Sequence, residues 1–213
     1  MFFYIFVLPE PTYTTMSKKA ERTTAYIIET VAPIFNKHGY IGTSMSDLTE
    51  ATGLTKGAIY GNFENKEALA LSAFEYNRNQ LLSAIDEQLG AEEDSLGKLF
   101  SLINFYKQYD VFTLPMGGCT ILNVGVDAQG NNTLLAAAVK ETVKDIEGKI
   151  ALVLENGAKQ NELHLPVPPL QFAKQLFTMI QGAVAMSTIT RDRKYLINTL
   201  TYLEHLVRKE IKK

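Results

Sequence analysis

Apolar residues recur along most of this chain at three- and four-residue steps and nowhere alternate for long between turn signals, so the pattern predicts an all-α protein. Ile28, Val31 and Phe35 share one stripe of a first helix over about 17–38, which Gly39 closes. Pro33 lies inside that stripe and removes one i to i−4 hydrogen bond, so a bend or a loosened turn is expected there. In "TSMSDLTEATG", Ser44 can cap a second helix, Asp47 lies near its positive end, and Gly53 can close it in the left-handed conformation. Thr55 recaps two residues later and predicts a short third helix over about 56–62. Two short helices across a glycine-bearing turn suggest a helix-turn-helix, with Leu48, Leu54, Ile59 and Phe63 spaced to meet Ile28 and Phe35 in a small core.

Asn65 is a plausible cap for a long fourth helix carrying Leu71, Phe74, Leu81, Ile85 and Leu89 up to Gly90. Leu96, Leu99, Phe100, Ile103 and Tyr106 define another helix. The stretch "DVFTLPMGGCTILNVGVDAQG" follows, and its Pro115, Gly117, Gly118 and Gly125 forbid a long regular element. Val139, Val143, Ile146, Ile150 and Val153 support a helix to about Asn156, and "LPVPPL" separates it from two last helices. Those carry Phe172, Leu176, Ile180, Ala183 and then Leu196, Leu200, Leu203, Val207. There is no internal repeat and no low-complexity segment.

Composition changes this picture little. At 213 residues, 46% hydrophobic and 21% charged, the chain is globular with one or two domains. A net charge of −2 gives no global basic field, so contact with nucleic acid has to come from a local cluster. The single Cys119 excludes an intramolecular disulfide and a C-x-x-C metal pattern, which fits a reducing cytoplasm. The apolar run from Phe2 to Leu8 is too short to span a bilayer, and residues 1–15 are expected to be a disordered extension. A reading head over 16–64 and a larger helical domain over 65–213 complete the expected organisation.

A helix-turn-helix presents the N-terminal turn of its second helix to a DNA groove. Here the outward groups would be Thr55, Lys56 and Tyr60, with Gly57 leaving room for the duplex. Lys66, Thr43 and Ser44 would clamp phosphates around them. On spacing alone, Gly57 is equally an ordinary poor helix residue, and Tyr60 and Lys66 are equally solvated surface positions. Charge does not separate the two, since Lys18, Lys19, Arg22, Lys37, Lys56 and Lys66 are matched by Glu21, Glu29, Asp47, Glu50, Glu64 and Glu67.

The string "FNKHGYIGTSMSDLTEATGLTKGAIYGNFENKEAL" closely resembles the DNA-binding domain of the tetracycline-repressor (TetR) family of bacterial transcription regulators, over about residues 18–70. The resemblance implies that Thr43, Ser44, Thr55, Lys56, Gly57, Tyr60 and Lys66 contact a palindromic DNA operator. Thr49 stands where a small alanine is common in the family, and Pro33 is not general in it. The resemblance also implies a larger domain that dimerises and binds a small effector. Small residues in the last two helices, Gly182, Ala183, Ala185 and Ser187, would allow a two-fold four-helix bundle.

For the effector, the aromatic and polarisable residues Phe105, Tyr109, Phe112, Met116, Phe172, Met179 and Met186 are candidates, with Asn123 and Gln181 as polar partners. Taken singly, each reads first as ordinary core. Cys119, in "GGCTILN", resembles a Gly-Cys segment of some TetR-like subfamilies that respond to oxidants or electrophiles, and a helix start there could lower its pKa. The leading expectation is thus a dimeric repressor released by a small hydrophobic effector; a regulator triggered through Cys119 is the alternative. An all-helical enzyme or binding protein for a hydrophobic molecule is a third. His38, His164 and His205 form no H-E-x-x-H or triad-like cluster, so no catalytic group, metal or cofactor is expected.

Overall fold

A computed structural model describes residues 13–212 of the chain. Most of the extension expected to be disordered lies outside these residues, while its last ones, from Tyr13, already belong to the first helix. The described residues form helices without a named strand, and their one β-type pairing is an isolated bridge between Leu163 and Lys212. Helices α1 (Tyr13–Gly42), α2 (Met45–Thr52) and α3 (Lys56–Tyr60) make the head. The break in α1 falls at Gly39, at φ 75° and ψ 171°. The backbone keeps helical φ/ψ through Pro33, where a bend or a loosened turn was expected. Glu29, whose carbonyl loses its usual donor to the proline, is exposed, so water can take that donor's place.

Ile27, Val31, Phe35, Leu48, Ile59 and Phe63 are buried together, which holds the three helices in one small core. Their ends are set by local hydrogen bonds. Ser44 and Asp47 form a reciprocal capping box, the Asp47 amide donating to Ser44 Oγ and the Ser44 amide to the Asp47 carboxylate. The Thr55 side chain accepts from the Ala58 amide at 3.2 Å, and Asn65 from the Ala68 amide at 2.8 Å. Tyr26 reaches across to donate to the Thr52 carbonyl at 3.0 Å, pinning the end of α2 to α1.

Helix α4 (Lys66–Gly90) packs on α1 with one end and on α5 (Ser95–Lys107) with the other. The irregular stretch resolves into α6 (Tyr109–Thr113), a 3₁₀ turn (Leu114–Met116) and α7 (Thr120–Ala128). Next come α8 (Thr133–Lys159), α9 (Pro169–Thr190), α10 (Lys194–Leu206) and a terminal π turn (Val207–Ile211). Helices α8, α9 and α10 pack in sequence, and α10 returns against α5 to close the larger core around Leu99, Ile103, Ile146, Ile150, Phe177 and Leu200. Among the described residues, no single helix is long and apolar enough to cross a membrane.

The head meets the larger domain at one dense junction. The Asn36 amide donates to the carbonyls of Met116 and Gly118 at 2.6 and 2.7 Å, and the Asn123 amide donates back to the Asn36 carbonyl at 3.1 Å. Gly117 lies so close to the Pro33 carbonyl that no Cβ fits there, and its φ of 81° disfavours other residues independently.

Candidate nucleic-acid interface and effector cavities

Thr55, Lys56, Gly57 and Tyr60 all stand exposed on α3, and Ser44 is exposed at the start of α2. The Lys56 ammonium lies 5.7 Å from the centre of the Tyr60 ring, so cation and aromatic form one outward face. Behind it, Ile59 is fully buried. At the far end Thr24 Oγ1 donates to Asn62 Oδ1 at 2.8 Å, and Asn62 Nδ2 donates to the Ala58 carbonyl. The five-residue helix is therefore fixed by its cap, its buried isoleucine and this terminal hydrogen bond.

Two residues of the expected phosphate clamp are placed otherwise. Thr43 is buried, and its hydroxyl donates to the Gly39 carbonyl at 2.7 Å, so its side chain supports the turn beneath the face. Lys66 is half-buried: its ammonium donates to the Tyr40 carbonyl at 2.6 Å and lies 4.5 Å from that ring's centre. Desolvation holds its pKa below the usual lysine range, against the attraction of Asp127 and Asp47. Tyr40 is held through its preceding peptide as well, where its amide donates to Asp127 Oδ2 at 2.6 Å. Gly39, next to it, has the Asp127 carboxylate where a Cβ would stand.

Asn36, Tyr40 and Asp127 were not among the sequence candidates. A polar Asn36 inside an otherwise apolar stripe was the one visible signal, since buried amides need partners.

The ten effector candidates do not converge on one cavity. Phe172 and Met179 line an apolar groove of about 570 Å³ between α9 and α10, with Leu176, Leu203 and Leu206. Tyr109, Cys119 and Asn123 line a second cavity of about 340 Å³, where α1, the 3₁₀ turn and α9 meet. Phe112 faces a separate open depression with Tyr76, and it packs edge-on against the half-buried Phe105. Met116 is buried and presents its carbonyl to Asn36; Met186 is 41% exposed and lines neither cavity. Gln181 sits beside Cys119, at 3.9 Å. Helical phase explains this scatter: the candidates lie on different faces of α5, α6 and α9.

Cys119 caps α7, accepting from the Leu122 amide, and lies 3.4 Å from the Tyr109 hydroxyl. Burial nevertheless pushes its thiol up, outweighing the Tyr109 contact and the backbone N–H groups of Leu122 and Ile121. The lowering expected from a helix start is overturned, and the thiolate that an electrophile trigger needs is disfavoured. Tyr106 and Tyr109 are also pushed upward by burial and stay as neutral phenols.

On the outer side of α9, Thr178, Gly182 and Ile189 are exposed, and Tyr195 and Tyr202 are exposed on α10. Ala183, expected among the small contact residues, is buried in the chain's own core, while Ala185 and Ser187 are half-buried.

Comparison with known proteins follows the same division. Residues 27–73 match the family described as bacterial regulatory proteins, tetR family, and residues 95–203 match the tetracyclin repressor-like C-terminal domain. The probable HTH-type transcriptional regulator ArpR of Pseudomonas putida is 34% identical over 179 residues, 82% of this chain and 84% of that protein. The HTH-type transcriptional repressor DhaR of Mycobacterium sp. (strain GP1) is 28% identical over 180 residues, covering 83% and 87%. The crystal structure of a TetR-family regulator from Cytophaga hutchinsonii superposes with a TM-score of 0.85 at 34% identity, over 92% of this chain and 98% of that one.

Proposed function

The chain belongs to the TetR family of bacterial DNA-binding transcriptional regulators, and on that premise we propose that it is a cytoplasmic repressor acting as a homodimer. The observation that carries the DNA assignment is the exposed Thr55, Lys56, Gly57 and Tyr60 face on a helix anchored by buried Ile59. Lys56 supplies a cation to phosphate or guanine, the Thr55 methyl and Tyr60 ring supply apolar contact to bases, and Ser44 adds a phosphate contact. Paired heads then read half-sites one duplex turn apart.

Pairing uses the outer faces of α9 and α10, where an added Cβ at Gly182 would meet nothing within 4 Å beyond its own stretch of helix and the apolar Ile189, Tyr195 and Tyr202 are uncovered. The function needs no catalysis. A small effector in the larger domain binds more tightly to a form with misspaced heads, and its preference for that form sets the response. The name of the similar DhaR supports repression as the sense of the effect.

The test is binding to palindromic DNA from the gene's own upstream region. Lys56→Ala and Tyr60→Ala should each weaken it by roughly 1–3 kcal/mol, with dimers intact. Unchanged affinity in both variants would contradict the assignment.

A further inference from the structure

We propose that the cavity between α1, the 3₁₀ turn and α9 is a binding site for a small organic carboxylate, with Lys37 as its cationic partner. This deepens the regulator reading above by naming the effector's site and class. The cavity encloses about 340 Å³, at the small end of ligand pockets. Its apolar wall is Tyr109, Leu114, Val184 and Leu196.

Two charged residues line it, Lys37 and Asp110. Asp110 is already neutralised, its Oδ2 lying 2.8 Å from Arg193 Nε. The Lys37 side chain, exposed on α1, has no ion pair or hydrogen bond among the described residues, so it is the charged lining residue left without a partner. The hydrogen-bond donors on the wall point the same way. Thr113 and Thr188 donate their hydroxyls to the Tyr109 and Val184 carbonyls, and the Asn123 amide is held by Asn36 and Gly117. The Tyr109 hydroxyl and the Cys119 thiol are in contact with each other at 3.4 Å, which leaves the Lys37 ammonium and the Ser187 hydroxyl, both suited to an acceptor-only anion.

Position favours this cavity over the larger groove between α9 and α10. The groove is lined entirely within the C-terminal part of the chain. Lys37, by contrast, is the chain neighbour of Asn36, whose amide clasps the Met116 and Gly118 carbonyls. A ligand held there presses directly on the junction that orients the head.

The probes are benzoate and cyclohexanecarboxylate, with benzamide as the neutral match, titrated into the full chain by calorimetry and into its complex with upstream operator DNA by fluorescence anisotropy. Both carboxylates should bind and release DNA. Lys37→Gln should weaken carboxylate binding by about ten-fold or more, the loss of one charge-assisted hydrogen bond, and leave benzamide unchanged. Val184→Phe should fill the cavity and remove all binding, whereas Leu206→Phe, in the other groove, should not. Failure of either carboxylate to bind the wild-type chain, equal binding by Lys37→Gln, or loss only in Leu206→Phe would each overturn the proposal. If ligand-free protein does not bind the operator, the regulator reading fails, while calorimetry still decides the site.

Discussion

A Cβ added at Gly57 would meet nothing nearer than the Thr55 hydroxyl at 4.0 Å, so no contact within the chain requires glycine there. The residue is exposed and helical, where alanine is the better helix former by roughly 1 kcal/mol. Gly57→Ala should therefore raise the melting temperature slightly while lowering operator affinity, because the methyl group stands where the duplex approaches. Improved stability together with unchanged DNA binding would make Gly57 an ordinary weak helix position. Burial governs a second residue. Cys119 has its pKa raised, so the thiolate fraction at neutral pH is below that of a free cysteine. Its alkylation by iodoacetamide should be slow at pH 7 and still be climbing at a pH where a free thiol has levelled off. Rapid modification at pH 7 would restore the covalent-trigger reading.

Caps decide the short elements. Helix α2 has eight residues and α3 has five, too few to persist on propensity, so each depends on its N-cap and one or two buried side chains. Ser44→Ala should cost about 1 kcal/mol, measured as a lower melting temperature, and Ser44→Asp should recover part of it. An unchanged melting temperature would mean that Leu48 burial alone holds the helix. Hydrogen bonds from Ser44, the backbone one first, hold the Asp47 pKa below the usual carboxylate range. This contribution is complete above that range and fades as pH falls through the lowered value, so amide exchange in α2 should quicken in acid. These ends were legible in the sequence because a cap lies within three residues of what it caps. The segment 109–128 was legible only as irregular, since Gly117 answers to the Pro33 carbonyl and Asn123 to the Asn36 carbonyl, partners more than eighty residues away in the chain. The hydrogen bonds of Thr43 and Lys66 to the Gly39 and Tyr40 carbonyls were not legible for a related reason: the motif names the residues, while the Gly39 break and the Tyr40 carbonyl fix where each side chain ends.

At the scale of the whole molecule, DNA affinity is set by pairing as much as by base contacts. Ile189 is 73% exposed on α9, and Ile189→Asp would bury a charge in the proposed bundle. Sedimentation should show more single subunits, and operator affinity should fall by roughly 10² once the heads no longer bind as a linked pair. A stable dimer with full affinity would place the contact elsewhere. The all-α architecture was readable from periodicity and caps; the cavities were not, because they arise where distant helices fail to fill space. Helix α4 belongs to both parts: Leu69, Ala70 and Phe74 are buried in its first half, beside α1, and Leu81 and Ile85 further on. Anyone exchanging specificities between such regulators should therefore cut after Phe74 and carry along the complement of Tyr40 on the receiving body, Asp127. A splice at residue 64 would leave the transplanted module without its own floor.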